Sequence, residues 1–172
     1  VHHPGPVGHH TNVVVGKKSY LYGGIMPNQE INNKMYVFDS ISHSWNKVMP
    51  RGKQPEPRDQ HTANVWEDKM IVFGGFENGS RVNTIQVYNF IEQRWSFPVN
   101  DPGARSPPAR GGHSAVIFKN KMYIFGGHND ENKRVADLWV YDLINMIWEE
   151  IPDKSLFKIL PRSGHSASIY KN

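Results

Sequence analysis

The sequence predicts an all-β protein, one four-stranded antiparallel unit used three times, followed by the first strand of a fourth. Three observations predict it. Gly-Gly pairs begin at Gly23, Gly74 and Gly126, so they recur at spacings of 51 and 52 residues. A histidine stands thirteen residues before each pair (His10, His61, His113), and an aromatic residue stands seven before each of Trp45, Trp95 and Trp148. Finally, apolar runs such as Val13-Val14-Val15 and Met70-Ile71-Val72-Phe73 are continuous rather than alternating, as in strands buried on both faces, and no long segment carries helical periodicity.

The elements follow in order within each unit. In the third, residues 113–118 form a first strand, and Lys119-Asn120-Lys121 is a polar turn in which asparagine tolerates the left-handed conformation. Residues 122–125 are a second strand closed by Gly126-Gly127. A polar stretch, 128–137, leads to a third strand at 138–141, and Trp148 opens a fourth through Ile151. Residues 153–160 read as a loop. The intervals of thirteen and seven never change, whereas the Trp-to-His interval runs 16, 18 and 17, so the former span packed elements and the latter a loop. The repeats run over about 6–56, 57–107 and 108–160, with the start of a fourth at 161–172. Sheets buried on both faces stack radially, each against its neighbour. The glycine pairs permit positive φ and close approach, and the tryptophans fill the gaps between neighbouring sheets.

These residues resemble the kelch repeat, which reads Pro-Arg-x-x-His-Ser/Thr, then Gly-Gly, then Tyr-Asp, then Trp, with a period of about 50 residues. The resemblance covers residues 6 to 170 and implies a β-propeller. Val7 departs from it where Arg58, Arg110 and Arg162 stand in the other units; Phe38 replaces a tyrosine and Asn89 an aspartate. Propellers have about four to eight blades, so the chain reads as a fragment of a longer protein. Three plus three blades also raises the expectation of a homodimer closing a six-bladed ring. In such a ring, the fourth-unit strand at 166–170 and the partner copy's first strand would compete for one position.

The chain has 172 residues, no cysteine and a formal charge of +4. Without cysteine there are no disulfides or thiolate metal sites, and a reducing cytoplasmic or nuclear compartment fits. No stretch is long and apolar enough for a membrane span, so no membrane partner is expected. Charges are interspersed, and no basic stacking platform suggests nucleic acid. No nucleophile elbow or phosphate loop occurs, so the chain is read as a non-enzyme without cofactors. Galactose oxidase, a kelch-propeller enzyme, uses a cysteine-linked tyrosine that is impossible here. Nitrile-specifier proteins, also kelch-like, carry Glu-x-x-Asp-x-x-x-His for iron; Glu56 and Asp59 match the first half, but Ala63 stands at the histidine position. Sialic-acid mutarotases are kelch-like too, and a mutarotase-like enzyme or a self-assembling scaffold is the alternative. His10, His61, His113 and His165 recur once per repeat, which marks a structural role, so no physiological metal is expected. His2-His3 and His9-His10 suit adventitious nickel or zinc.

In an antiparallel meander the loops after the second strands (25–33, 76–83 and 128–136) emerge at the same edge as the loops leading into each unit. The expected site is therefore a basic ring on that edge. Arg58, Arg110 and Arg162 come from the lead-in loops, with Arg81, Lys133 and Arg134 from the others; His128 joins the partner-binding set, and Asn129, Asp130 and Glu131 add selectivity. Such a ring suits an acidic or phosphorylated peptide of a protein partner. The repeated arginines equally suit structural bonds to local carbonyls. The resemblance implies interaction roles: substrate adaptors of cullin ubiquitin ligases, actin-binding proteins and effectors of small GTPases. It is strongest toward the group with leucine-zipper-like transcriptional regulators and Rab effectors.

Overall fold

The computed structural model describes residues 3–99 and 103–170; His2 and the last two residues lie outside that range. Blade 1 is β1 (Thr11–Val15), β2 (Lys18–Tyr22), β3 (Met35–Asp39) and β4 (Ser44–Val48), paired in that order. Blade 2 starts with β5 (Thr62–Trp66) and β6 (Lys69–Phe73). A short hairpin follows, β7 (Phe76–Glu77) and β8 (Ser80–Arg81), before β9 (Ile85–Asn89) and β10 (Arg94–Ser96) complete the sheet. Blade 3 is β11 (Ser114–Phe118), β12 (Lys121–Phe125), β13 (Leu138–Asp142) and β14 (Ile147–Ile151). The strands named here pair antiparallel throughout. The inner strands β1, β5 and β11 lie side by side, so the blades fan around an axis. No helix among the described residues is long and apolar enough to cross a membrane.

Two local readings are corrected. Residues 166–170 form no strand, although the fourth unit docks by its lead-in loop. A strand needs a ladder partner, and no strand pairing among the described residues includes 166–170. In the turn before β12 the left-handed residue is Lys119 (φ 54°), not Asn120, whose side-chain oxygen accepts a hydrogen bond from Trp66 Nε1 at 3.2 Å in the neighbouring blade.

The aromatic–Asp/Asn motif is a turn device. Asp39 Oδ1 accepts the amides of Ile41 and Ser42 at 2.8 and 3.1 Å, and Asp142 does the same for Ile144 and Asn145. These bonds hold both carboxyls below their ordinary value. Asn89 accepts from Ile91 and Glu92 with its amide oxygen, which is why asparagine serves there.

Each blade junction is closed by one aromatic set. Tyr22 of blade 1 meets Trp95 of blade 2 at 4.9 Å and His61 at 5.2 Å between ring centroids. Phe73 meets Trp148 and His113 at 5.1 and 5.3 Å in the next junction. Trp45 touches only Phe38 of its own blade among these rings, at 5.2 Å, and is half-buried.

The two glycines of a pair face different neighbours. A Cβ on Gly74 would lie 2.7 Å from the Arg110 carbonyl oxygen of blade 3, whereas one on Gly75 would lie 2.6 Å from the Asp59 carbonyl oxygen of its own blade. Gly75 also has φ +100°, a conformation that L side chains rarely adopt. Gly75→Ala is expected to cost about 2 kcal/mol, read from the urea unfolding midpoint.

Candidate functional site

The repeated histidines join blades. His61 Nε2 pairs with Thr11 Oγ1 at 2.8 Å, His113 with Thr62 at 2.9 Å and His165 with Ser114 at 2.8 Å. Each histidine thus meets the hydroxyl of the preceding blade, which explains the Ser or Thr after every one. His10 is exposed and bonds the Val7 carbonyl of its own loop at 3.1 Å. Burial, then the charges of Arg58 and Arg110 respectively, pull the pKa values of His61 and His113 down to about 3.

A second link runs along the lead-in loops at the axial mouth. Gln60 N donates to His9 O at 3.1 Å, Gly112 N to Gln60 O at 2.8 Å and Gly164 N to Gly112 O at 2.8 Å. All four residues have positive φ, from 53° to 67°, so each turns its backbone toward the next blade. His9 Nδ1 also stands 3.1 Å from Asp59 Oδ2, whose residue is buried.

Arg58 and Arg110 do not lie on the rim. Both are almost fully buried, because their guanidinium groups tie the glycine carbonyls of their own blades to an acid. Arg110 donates to Gly126 O at 3.0 Å and grips Asp137 with two bonds of 2.8 and 2.7 Å. Arg58 donates to Gly74 O at 2.9 Å and pairs with Glu77. This corrects their assignment to the basic ring and favours the structural alternative. Arg162 is exposed and donates to Leu160 O at 3.1 Å. Lys133 is exposed and pairs with Glu131 at 2.6 Å. Asn129 shapes its loop, its side-chain oxygen accepting the Lys133 amide at 2.9 Å.

Of the remaining predicted residues, Arg81 and His128 line one concavity, while Asp130 and Arg134 bond to residues that line it. A concavity of about 530 Å³ at the axial mouth is lined by Arg81, His128 and the axial histidines, with Gln60, Asn132 and Ser163. Arg81 and Arg134 hold the same place in their blades, since Phe76 bridges Arg81 as His128 bridges Arg134. The Arg81 amide donates to Asp130 Oδ1 at 2.6 Å and its Nη2 to Asn132 Oδ1 at 3.3 Å, tying the blade 2 hairpin to the blade 3 loop. Ser163 Oγ stands 3.1 Å from His128 Nε2 and accepts from Arg134 Nε at 3.3 Å. Burial first, then the Arg81 and Arg134 charges, lower the His128 pKa. Arg81 Nε and His128 Nδ1 are buried without a hydrogen-bond partner. Sequence reasoning missed Gln60, Asn132 and Ser163; Gln60 and Ser163 stand one and two residues before a repeat histidine, where the other units carry different residues. Among the described residues no group of three or more His, Cys, Asp or Glu is placed to hold a metal.

Comparison with known proteins agrees with this architecture. The family model of the KLHDC2/KLHL20/DRC7 Kelch-repeats domain matches residues 2–172. The chain is 28% identical over 180 residues to Tip elongation aberrant protein 3 of Schizosaccharomyces pombe, covering 86% of this chain and 16% of that protein. It is 31% identical to the N-(sulfonatooxy)prop-2-enimidothioate sulfolyase of Thlaspi arvense (87% and 45%) and 30% identical to Kelch domain-containing protein 1 of Mus musculus (81% and 34%). It therefore spans less than half the length of each of these relatives. The solved structure of YjhT superposes with a TM-score of 0.74 at 17% identity, covering 90% of this chain and 55% of that one. Buried aromatic junctions, a histidine–hydroxyl link at each and the family match over residues 2–172 lead to one conclusion: the chain belongs to the kelch-repeat family and is a segment of a kelch β-propeller.

Proposed function

We propose that the chain is a protein-interaction module that receives an acidic or phosphorylated peptide segment of a partner at the axial mouth. The observation that carries this reading is the concavity lined by Arg81 and His128, with Arg134 bonded to its lining residue Ser163. A carboxylate or phosphate placed there takes charge-assisted bonds from the Arg81 guanidinium. Gln60, Asn132 and Ser163 surround the charges with neutral hydrogen-bonding groups. Similar chains include the leucine-zipper-like transcriptional regulator 1 homolog and host cell factor of Drosophila melanogaster, and a substrate-adaptor role in a ubiquitin ligase is one use of such a module.

The test is fluorescence anisotropy with an array of acidic, phosphorylated and neutral peptides. Acidic or phosphorylated peptides bind, and Arg81→Glu/Arg134→Glu weakens them at least tenfold while the melting temperature stays within a few degrees. Affinity falls as salt rises, because the rim is exposed. Equal binding of neutral peptides, or no loss in the double variant, would remove the rim reading.

The sulfolyase relative raises an enzyme reading, but Glu56 is exposed while Asp59 is buried under His9 and Gln60, so the two acids do not converge. A second copy of the chain is the other proposed partner. His10, the blade 1 counterpart of His61 and His113, is exposed and bonds the Val7 carbonyl of its own loop. Light scattering gives a dimer mass if two copies close a ring, and a monomer at micromolar concentration counts against it.

A further inference from the structure

A cavity of about 350 Å³ lies between blade 2 and the segment that leads into it from blade 1, lined by Pro55, Glu56, Glu77, Gln86, Phe97 and Pro98 among others. One lining residue departs from the other two blades. Gln86 pairs across its sheet with Val72 as Trp139 pairs with Ile124 and Tyr36 with Leu21. Blade 3 therefore sets a buried indole where blade 2 has an amide. In blade 3 the Trp139 Nε1–H donates to Asp137 at 2.7 Å, and the Arg105 guanidinium lies over the ring, 5.8 Å from its centroid. Blade 2 keeps the surroundings without the indole. Glu77 binds Arg58 as Asp137 binds Arg110, and it faces the cavity. Lys53, five residues before Arg58 as Arg105 is before Arg110, stands 5.4 Å from the Phe97 ring centroid. Gln86 is only 5% exposed, and its Oε1 is buried without a partner, a costly arrangement in a folded protein.

We propose that this cavity binds the tryptophan side chain of a protein partner. The indole enters between Pro55, Phe97 and Pro98, beside Gln86, and its N–H donates to the Glu77 carboxylate as that of Trp139 does to Asp137. A planar apolar group with a single N–H donor matches both the walls and the acceptor. The site is separate from the axial mouth and does not rest on the peptide reading made there.

The probe is N-acetyl-tryptophanamide, titrated by ligand-observed NMR. It binds the protein, and Gln86→Trp, which supplies the indole from within, weakens it at least tenfold and raises the melting temperature. Gln86→Tyr, which copies the Tyr36 position of blade 1, is the second variant should the first fail to fold, and it weakens the probe likewise. The 1-methyl analogue, which lacks the N–H, binds at least tenfold more weakly. Arg81→Glu/Arg134→Glu leaves all of this unchanged. Absence of binding overturns the proposal, as do equal affinity for the 1-methyl analogue or tighter binding of N-acetyl-argininamide.

Discussion

Arg110→Met lowers the unfolding free energy by about 3–5 kcal/mol, the cost of leaving one member of a buried ion pair without the other. The side chain is 1% exposed and donates to Pro108 O at 3.1 Å, to Gly126 O at 3.0 Å and to both oxygens of Asp137. Methionine fills similar space but strands two carbonyls and a half-buried carboxylate. Arg110→Lys loses the two-pronged grip and falls between the two. The exposed pair is the control: Arg105, 77% exposed, meets Glu150 at 2.8 Å, and Arg105→Met costs about 1 kcal/mol or less. The pH dependence is an independent check. Burial pushes the Asp137 pKa up, but the hydrogen bonds and charge of Arg110 outweigh it and hold the carboxyl below its ordinary value. That stabilisation is present above the unfolded-state carboxylate pKa and is lost as pH falls through the folded one. The difference between wild type and Arg110→Met is therefore largest near pH 7 and shrinks in acid. Urea unfolding at both pH values measures it, and a loss under 1 kcal/mol at pH 7 would return Arg110 to the free cations of the rim.

The strands were legible because their spacing is fixed by packing. Each repeat places its histidine, glycine pair, aromatic residue and tryptophan at offsets that survive every change of loop length. What joins the blades was only half legible. The histidine recurs, but its hydroxyl partner lies in the preceding blade, 50 residues from His61 and 51 from His113, so the pair cannot be seen from the repeat alone. The arginines were ambiguous for a related reason. Arg58 finds its acid on the hairpin at Glu77 and Arg110 finds its own just before β13 at Asp137. The acid moves between repeats, so alignment does not reveal it. The β7–β8 hairpin carries Asn78-Gly79, both at positive φ, which is a hairpin signal that sat within a stretch read as loop. Gln60, Gly112 and Gly164 share a backbone conformation rather than a chemistry, so their place at the axial mouth emerged only from the structure.

Between pH 7.5 and pH 5.0 the protein is expected to lose about 4 kcal/mol of stability to two histidines alone. His61 and His113 stay neutral in the folded state because burial, before the neighbouring arginine charge, lowers their pKa values from 6.5 to about 3. The unfolded chain titrates them near the ordinary value. From pH 6.5 down to about 3 the unfolded state binds more protons than the folded one, so stability falls as pH falls. Above pH 6.5 neither state is charged and the effect vanishes. Each histidine contributes a slope of up to about 1.4 kcal/mol per pH unit, and a domain with about 5–15 kcal/mol in hand nears unfolding within this window. The carboxylates do not confuse the reading, since Asp39, Asp137 and Asp142 all titrate below their ordinary value and act only at lower pH. Less buried His128 and His165 shift in the same direction and add to the slope. His61→Gln/His113→Gln keeps a donor for Thr11 and Thr62 and removes both protonation sites. Whatever its stability at neutral pH, its free energy of unfolding should vary between pH 7.5 and 5.0 by less than half as much as that of the wild type. An unaltered slope would mean that the blade junctions admit protons without opening and that the histidine–hydroxyl links are not what fails in acid.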